Sequence, residues 1–394
     1  MKYILFDSTD RDRLLPFTHT RPVADIRCGI LTMRERWEMH LGQPTSTLTE
    51  DYLQTVFPQD SSNDNCYINA AIFANSELAA AINTLPNEHA LVKGELVIAA
   101  RYAENKKGIA DLHKHSKTLP AVDFAGDLYL LKNNRDIFVL NDRAIRDDHA
   151  LITKGRSSAS IPEGVTVTGK EQLFIEEGAH IYAGCIINAS TGPVYIGKDT
   201  EILEGTMMRG PVAVGMHAVI KMGAKIYGAT TIGPGCKTGG EINNAVFFAN
   251  SNKAHDGYLG NAVIGEWCNL GADTNCSNLK NNYDEIKIWD EAANKSVKTG
   301  LTFCGLLMGD HSKCGINTMF NTGTVVGVSC NIFGGGFPEK FVRSFSWGGS
   351  DGVTTYDFNR AMETANRMMG RRGIQLSETE TEVYRYIYEH YRQQ

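Results

Sequence analysis

The sequence predicts an α/β domain, then a parallel β-helix, then a helical tail, and three observations lead there. Between Ile175 and Ile332 apolar residues return every six positions: Ile175, Ile181 and Ile187 announce the step and Ile196, Ile202, Met208, Val214, Ile220, Ile226 and Ile232 keep it. Ile264, Leu270 and Cys276 resume it, and Met308, Cys314, Phe320, Val326 and Ile332 carry it on. That period fits neither a helix nor a simple strand. Four residues after each comes a small side chain, as at Thr200, Thr206, Ala218, Ala224, Cys236, Cys268, Ser312 and Thr324. Residues 1–150 lack the hexads, and residues 356–394 space Ala361, Ala365 and Met369, then Val383, Tyr384, Ile387 and Tyr391, as helices do.

Such hexads describe a triangular coil of about eighteen residues per turn, each strand sending one aliphatic inward and each tight inner corner admitting only a small side chain. Gly197, Gly215, Gly233, Gly265, Gly309 and Gly327 directly follow the aliphatics, where the backbone is expected to turn without a Cβ in the way. The spacing resembles that of hexapeptide-repeat acyltransferases, and the resemblance implies a left-handed coil. The expected limits are 1–150 for the α/β domain, 151–172 for a linker and coil cap, 173–336 for the β-helix and 337–394 for the helical extension.

With 394 residues and 42% hydrophobic content the chain can bury sizeable cores. A formal net charge of −6 speaks against a nucleic-acid protein. There is no apolar run of membrane length, and Met1 to Phe6 reads as a strand rather than a signal peptide, so a soluble, cytoplasmic protein is expected. Of nine cysteines, Cys185, Cys236, Cys268, Cys276, Cys314 and Cys330 fall at inward positions, and no CxxC pair occurs. They read as small core residues in a reducing compartment.

In chain order, Tyr3–Phe6 reads as a strand and Ala24 to Leu41 as a helix with Ile26, Ile30, Met33 and Trp37 on one face. Tyr67-Ile68 and Leu96 to Ala99 read as strands. Glu77 to Leu85 reads as a helix capped by Ser76 and stopped by Pro86. The polar segment from Asn278 to Leu301 interrupts the coil and should protrude from one corner. The tail is expected to pack over the open end of the coil or a neighbouring subunit.

Arg13-Leu14-Leu15-Pro16-Phe17-Thr18 and Thr20-Arg21-Pro22 resemble the start of the sugar-1-phosphate nucleotidyltransferases, where a GxGTRLxPLT loop precedes a Lys-Pro pair. In that family backbone N–H groups cradle nucleotide phosphates and the Arg and Lys neutralise charge. The resemblance makes Arg13 catalytic and Arg21 substrate-binding, with UTP as nucleotide donor and Mg²⁺ as cofactor. Asp7 to Asp12 stand where that family has glycines, and Asn69-Ala70-Ala71 where it has a metal-binding Asp. Asp7, Arg11, Asp136 and Asp142 remain candidate metal or phosphate partners, and the metal ligands stay open.

The densest polar cluster outside the repeat runs from Asn250 to Gly260, and twenty residues separate Asn244 from Ile264. A coil with extra residues bulges, so His255 should project. Lys253-Ala254-His255-Asp256-Gly257-Tyr258-Leu259-Gly260, followed by Ile264-Gly265 and Asn269-Leu270-Gly271-Ala272, resembles the acetyltransferase half of the bifunctional N-acetylglucosamine-1-phosphate uridylyltransferase/glucosamine-1-phosphate acetyltransferases. That resemblance implies His255 as base, Tyr258 and Asn269 beside the sugar, and Gly271 and Ala272 at acetyl-coenzyme A. Asp273 replaces the second glycine of the family's GAG run and would narrow or charge the cleft. Lys253, Lys225, Lys237 and Arg209 are candidates for the sugar phosphate. His311, oriented by Asp310, is the reserve base, and both it and His217 should point outward.

The resulting expectation is N-acetylation of an amino-sugar 1-phosphate by the coil and uridylyl transfer by the first domain, for UDP-N-acetylglucosamine synthesis. Coils of this kind form trimers in the families it resembles, so a homotrimer is expected, with residues from two chains completing one site. Two alternatives remain: a non-catalytic regulatory or scaffold protein, and a zinc-dependent carbonic anhydrase using His217, His255 and His311.

Overall fold

The computed structural model describes residues 1–103 and 108–392. Its first domain is a six-stranded sheet of β1 (Lys2–Phe6), β2 (Thr45–Leu48), β3 (Asn65–Asn69), β4 (His89–Lys93), β5 (Leu96–Tyr102) and β6 (Ala121–Asp123), in the order β2-β1-β3-β5-β4-β6. β1 lies parallel to both β2 and β3. Helices α1 (Met33–Leu41), α2 (Asp51–Gln54), α3 (Ser76–Asn83), α4 (Ile109–Ser116), α5 (Asp136–Val139) and α6 (Asn141–Thr153) complete it.

The helix expected from Ala24 starts only at Met33, where Thr32 and Glu35 form a capping box. Upstream, buried Asp148 accepts the N–H groups of Ile30 and Leu31 at 2.8 and 3.0 Å and draws the chain into a loop. α3 begins one residue earlier than expected, because Asn75 rather than Ser76 accepts the Leu78 N–H.

Beyond Thr166 the chain winds as a parallel β-helix with three outer faces. Strands such as Ile186–Asn188, Met207–Arg209 and Lys225–Tyr227 build the first face. Val194–Ile196, Val212–Val214 and Thr230–Ile232 build the second, and Glu201–Ile202, Val219–Ile220, Lys237–Thr238, Asn252–Lys253 and Asn269–Leu270 the third. The six-periodic aliphatics form the buried interior. Thr200 and Ser312, four residues after theirs, bond the carbonyls of Gly215 and Gly327 on the next coil at 2.9 and 2.7 Å. All nine cysteines are free and buried.

The glycines after the aliphatics serve close approach rather than a turn: a Cβ on Gly197 would sit 2.7 Å from the Met216 nitrogen of the next coil. The left-handed backbone falls two residues later, at the corner between the second and third faces, where Asp199, His217, Asn250, Trp267, His311, Ser329 and Phe345 all have φ between 54° and 60°.

The coil carrying His255 is short rather than long. Ile232 pairs with Phe247 and Phe247 with Ile264, fifteen and seventeen residues apart. His255 is exposed because residues 254–257 form a tight corner between the third and first faces, not because extra residues bulge.

The segment from Asn278 to Leu301 folds back instead of protruding. Its hairpin, Lys287–Asp290 with Lys295–Lys298, lies against the first domain: Ile286 and Ile288 join that core and Glu291 meets His19 at 3.1 Å. The tail helices α7 (Phe358–Gly370) and α8 (Glu378–Tyr391) lie along the corner between coil and first domain, with Tyr386 stacked on Tyr52 at 4.1 Å. The end of the third face is paired instead by the antiparallel strand Gly352–Thr355.

The first domain docks on the second face, where Val246, Val263, Leu307 and Val325 point outward into its core. Phe17 packs on Phe248, and Asn141 donates to the Ala229 carbonyl at 2.7 Å. At the edge of this contact Arg21, buried, bridges Glu266 at 2.8 Å and Asp310. Arg21→Ala leaves Asp310 buried without its cation, so we expect a loss of about 3–5 kcal/mol, measured as a lower urea midpoint. An unchanged midpoint would show that the pair does not hold the bodies together.

Candidate active site on the third face

On the third face the outward positions form a polar ladder of Lys237, Asn252, Asn269, Lys313 and Asn331 in successive coils. The position two residues after Lys237, Asn252, Asn269 and Lys313 is Gly239, Ala254, Gly271 and Gly315, so the backbone there is nearly bare. The result is a cleft of ≈ 590 Å³ lined by Lys221, Lys237, Asn252, His255, Asn269, Gly271, Ala272 and Ile316 from the coil and by Met368, Arg371 and Arg372 from the end of α7. Among the described residues no carboxylate lines it. His255 stands at its rim, exposed; Asn269 is half-buried in its floor, within 3.4 Å of Asn252.

Four residues expected at this site lie elsewhere. Lys253 occupies an inward position of the third face, in register with Thr238, and is 1% exposed. Its ammonium donates to the carbonyls of His255 and Asp256 at 2.9 and 3.2 Å, so it braces the His255 corner from inside and is not available to a phosphate. Lys225 and Tyr258 lie on the first face, in register with Glu241 between them, and Arg209 is exposed on the same face. The Tyr258 hydroxyl accepts from Asn278 at 3.0 Å.

His311 does not point outward. It is 3% exposed, stacked on Trp267 and covered by Tyr384 of α8. Its expected orienting partner Asp310 is engaged with Arg21, Thr20 and the Glu266 N–H. His217 is exposed. Asp273, in left-handed backbone at φ 56°, turns its carboxylate to Asn275 at 3.2 Å and does not line the cleft. Among the described residues no group of three or more His, Cys, Asp or Glu is placed to hold a metal ion, which leaves the three histidines without a shared zinc site.

In the first domain, an α/β sheet would place a ligand beyond the carboxyl ends of β1 and β3. Here that crevice is filled. Asp7, after β1, is wholly buried, bonded to the Val23 N–H and Thr49 hydroxyl at 2.8 and 2.6 Å and paired with Arg11 at 3.2 Å. Burial pushes its carboxyl up despite Arg11. Asn69 accepts from the Ala71 N–H at 3.1 Å. Residues 14–19 are buried, and Phe17 and Arg21 face the coil. Mg²⁺ asks for accessible oxygens and several waters, and this donor set does not fit it. Asp136 closes the turn before its helix by accepting the Lys132 and Asn133 N–H groups, and Asp142 pairs with Arg146 on the surface. Arg13 is exposed, 3.5 Å from Asp10. Arg21 is committed to the interdomain bridge.

Residues 3–157 match the model of a family described as sugar nucleotidyl transferase. Among curated relatives, a bifunctional protein GlmU of Rippkaea orientalis is 28% identical over 158 residues, covering 35% of this chain and 34% of the relative. A bifunctional sugar-1-phosphate nucleotidylyltransferase/acetyltransferase of Sulfurisphaera tokodaii is 30% identical over 153 residues, 38% of each chain. The chain thus spans about a third of the length of the curated relatives it matches. A solved Arabidopsis UDP-N-acetylglucosamine acyltransferase, 14% identical, overlaps 59% of this chain and 90% of its own at a TM-score of 0.20. Among the described residues no helix is long and apolar enough to cross a membrane.

Sequence patterns missed Lys221, Met368, Arg371 and Arg372. Adjacent arginines closing a helix were the available signal, but nothing in the sequence said that the tail would return to this face. Arg372 reaches the Gly235 carbonyl and the Asn250 amide oxygen at 2.6 and 2.7 Å, and so fixes the wall.

Burial lowers the Lys253 ammonium to about 8, against about 10.4 for an unfolded chain. Between these values the unfolded chain keeps the proton that this site has lost in the folded chain, so the contribution of Lys253 to stability rises with pH, by up to about 1.4 kcal/mol per pH unit. Lys313, half-buried on the third face, also falls to about 8. Buried cysteines such as Cys28 and Cys66, whose thiols burial pushes up to about 12, act in the opposite sense. Lys253→Met should therefore make the slope of stability against pH lower than in the wild type by up to about 1.4 kcal/mol per pH unit, read from urea midpoints between about pH 8 and 10.4. An identical slope in the variant would contradict the buried assignment.

Proposed function

We propose that the cleft on the third face transfers an acetyl group from acetyl-coenzyme A to the amine of an amino-sugar 1-phosphate, glucosamine 1-phosphate being the first candidate. The observation that carries this is the meeting of an exposed imidazole with a cleft whose charged residues are all cations. Acetyl-coenzyme A would supply a thioester activated for attack, and its phosphates suit Lys221, Lys237, Arg371 and Arg372. A phosphorylated sugar would share that field, as oppositely charged clefts concentrate their ligands. His255 takes the proton that the amine must lose. Asn269 orients the sugar. The Gly271 N–H is spent on the Cys314 carbonyl at 3.1 Å, which leaves the Ala272 N–H as the candidate donor to the developing oxyanion.

The same reading takes the working form to be a homotrimer. Ile186, Met207 and Met319 are exposed on the first face, with Met222 and Ile316 at the corner beside the cleft. A neighbour seated there would bring the Lys225, Arg209 and Tyr258 of one chain toward the cleft of another.

For the first domain, the match of residues 3–157 to a sugar nucleotidyl transferase model and the likeness to bifunctional relatives support nucleotidyl transfer to a sugar 1-phosphate, with UTP as donor and UDP-N-acetylglucosamine as product. A second reading, a docking scaffold, is favoured by one observation: the loop matching the phosphate cradle is buried against the coil. Pyrophosphate release from UTP, Mg²⁺ and N-acetylglucosamine 1-phosphate decides between them. Sustained release sinks the scaffold reading.

For the coil, thiol release from acetyl-coenzyme A should require glucosamine 1-phosphate and fall by about 10²–10⁴-fold in His255→Ala, the usual worth of a general base. Lys237→Ala should raise KM with little change in kcat, since a phosphate contact binds ground and transition states alike. Release that ignores the sugar, or a His255→Ala variant of full activity, would remove this assignment.

A further inference from the structure

Where first domain, coil and tail meet, they enclose a second cleft of ≈ 320 Å³, apart from the acyl-transfer site. Trp267 and His311 enter it from the coil corner, Arg21 from the first domain, and Tyr384 and Glu380 from α8. His311 is 3% exposed, and among the described residues its Nδ1 has no hydrogen-bond partner. A buried, unpaired ring nitrogen costs free energy until something meets it. The ring is fixed, stacked on Trp267 with centroids 6.2 Å apart and edge-on to Tyr384 at 5.4 Å. Burial, with Lys313 and Arg21 nearby, holds it well below the usual imidazole range, so it is neutral and keeps one nitrogen as an acceptor.

Four carboxylates, Asp25, Glu266, Asp310 and Glu380, line the cleft with the guanidinium of Arg21, whose Nε is itself without a partner among the described residues. Glu266 and Asp310 share the single guanidinium of Arg21. Asp25 is matched by Arg34, and among the described residues Glu380 has no ion-pair partner, its carboxylate accepting from the Ser377 N–H and hydroxyl at 2.8 and 2.7 Å. The apolar lining is aromatic on two sides, Trp267 and Tyr384. Carboxylate excess disfavours an anion, and the absence of a metal-holding group among the described residues disfavours a bare ion.

We propose that this junction cleft binds a small organic ammonium ion, its N–H groups meeting Glu266, Glu380 and His311 and its carbon body lying against Trp267 and Tyr384. Aromatic faces attract such cations once water is displaced. A ligand touching all three bodies also stabilises their docking by mass action. Its occupancy reaches the acyl cleft through one side chain, because Trp267 carries the Arg372 guanidinium 5.5 Å from its ring centroid and Arg372 lines that cleft.

The test is calorimetric titration of the full chain with benzylammonium chloride, with benzyl alcohol as the neutral match and Glu380→Gln as the variant. Gln serves a capping box as Glu does, so the variant keeps the start of α8. We expect one saturable site, at least about tenfold weaker binding of the alcohol, and a loss of severalfold in Glu380→Gln. No saturable heat, or equal binding of amine and alcohol, overturns the proposal, and this comparison needs no variant. Binding undiminished in a folded Glu380→Gln overturns it as well. The readout is heat, so the outcome is independent of acyl transfer.

Discussion

In each coil strand one side chain points inward and its neighbour outward, so the repeat that fills the interior also decides what each outer face can hold. On the second face the outward places are Val246, Val263, Leu307 and Val325, and these accept the first domain. On the third they are Lys237, Asn252, Asn269 and Lys313, too polar to be covered, and a cleft remains. On the first face the outward places include Ile186, Met207, Lys225 and Tyr258.

The repeat is broken where the chemistry is assigned. Lys253 stands at an inward place that an aliphatic would fill. Its ammonium has two carbonyls to meet, so the cost of burying it is partly offset. What that cost secures is a fixed corner under His255. Local rules are commonly broken in this way at working sites.

The first domain shows the opposite trade. Its phosphate-loop counterpart holds the Asp7–Arg11 pair in its interior and the Arg21 bridge at its surface. These charges face each other and the coil. Buried pairs give little net stability, but breaking one is expensive, so they fix how the bodies fit rather than how tightly.

The fold was legible because periodicity is local: six-residue spacing reports an inward side chain whatever surrounds it. His255, Asn269, Gly271 and Ala272 were legible for a related reason, since one short run supplies them all and they do share a cleft. Hexad phase alone misplaced His311, because it says that a corner residue leaves the coil but not that Tyr384 comes to cover it. Lys253 was misplaced because the shortened coil moved it into the interior. The sequence alone determined the coil and the order of an α/β domain, a β-helix and a helical tail. Only the tertiary structure decided that the tail supplies a wall of the cleft, that the inserted hairpin folds home, and that Arg21 is an interdomain bridge. Those depend on contacts between residues hundreds of positions apart, such as Arg21 with Asp310, and no local pattern encodes such a meeting.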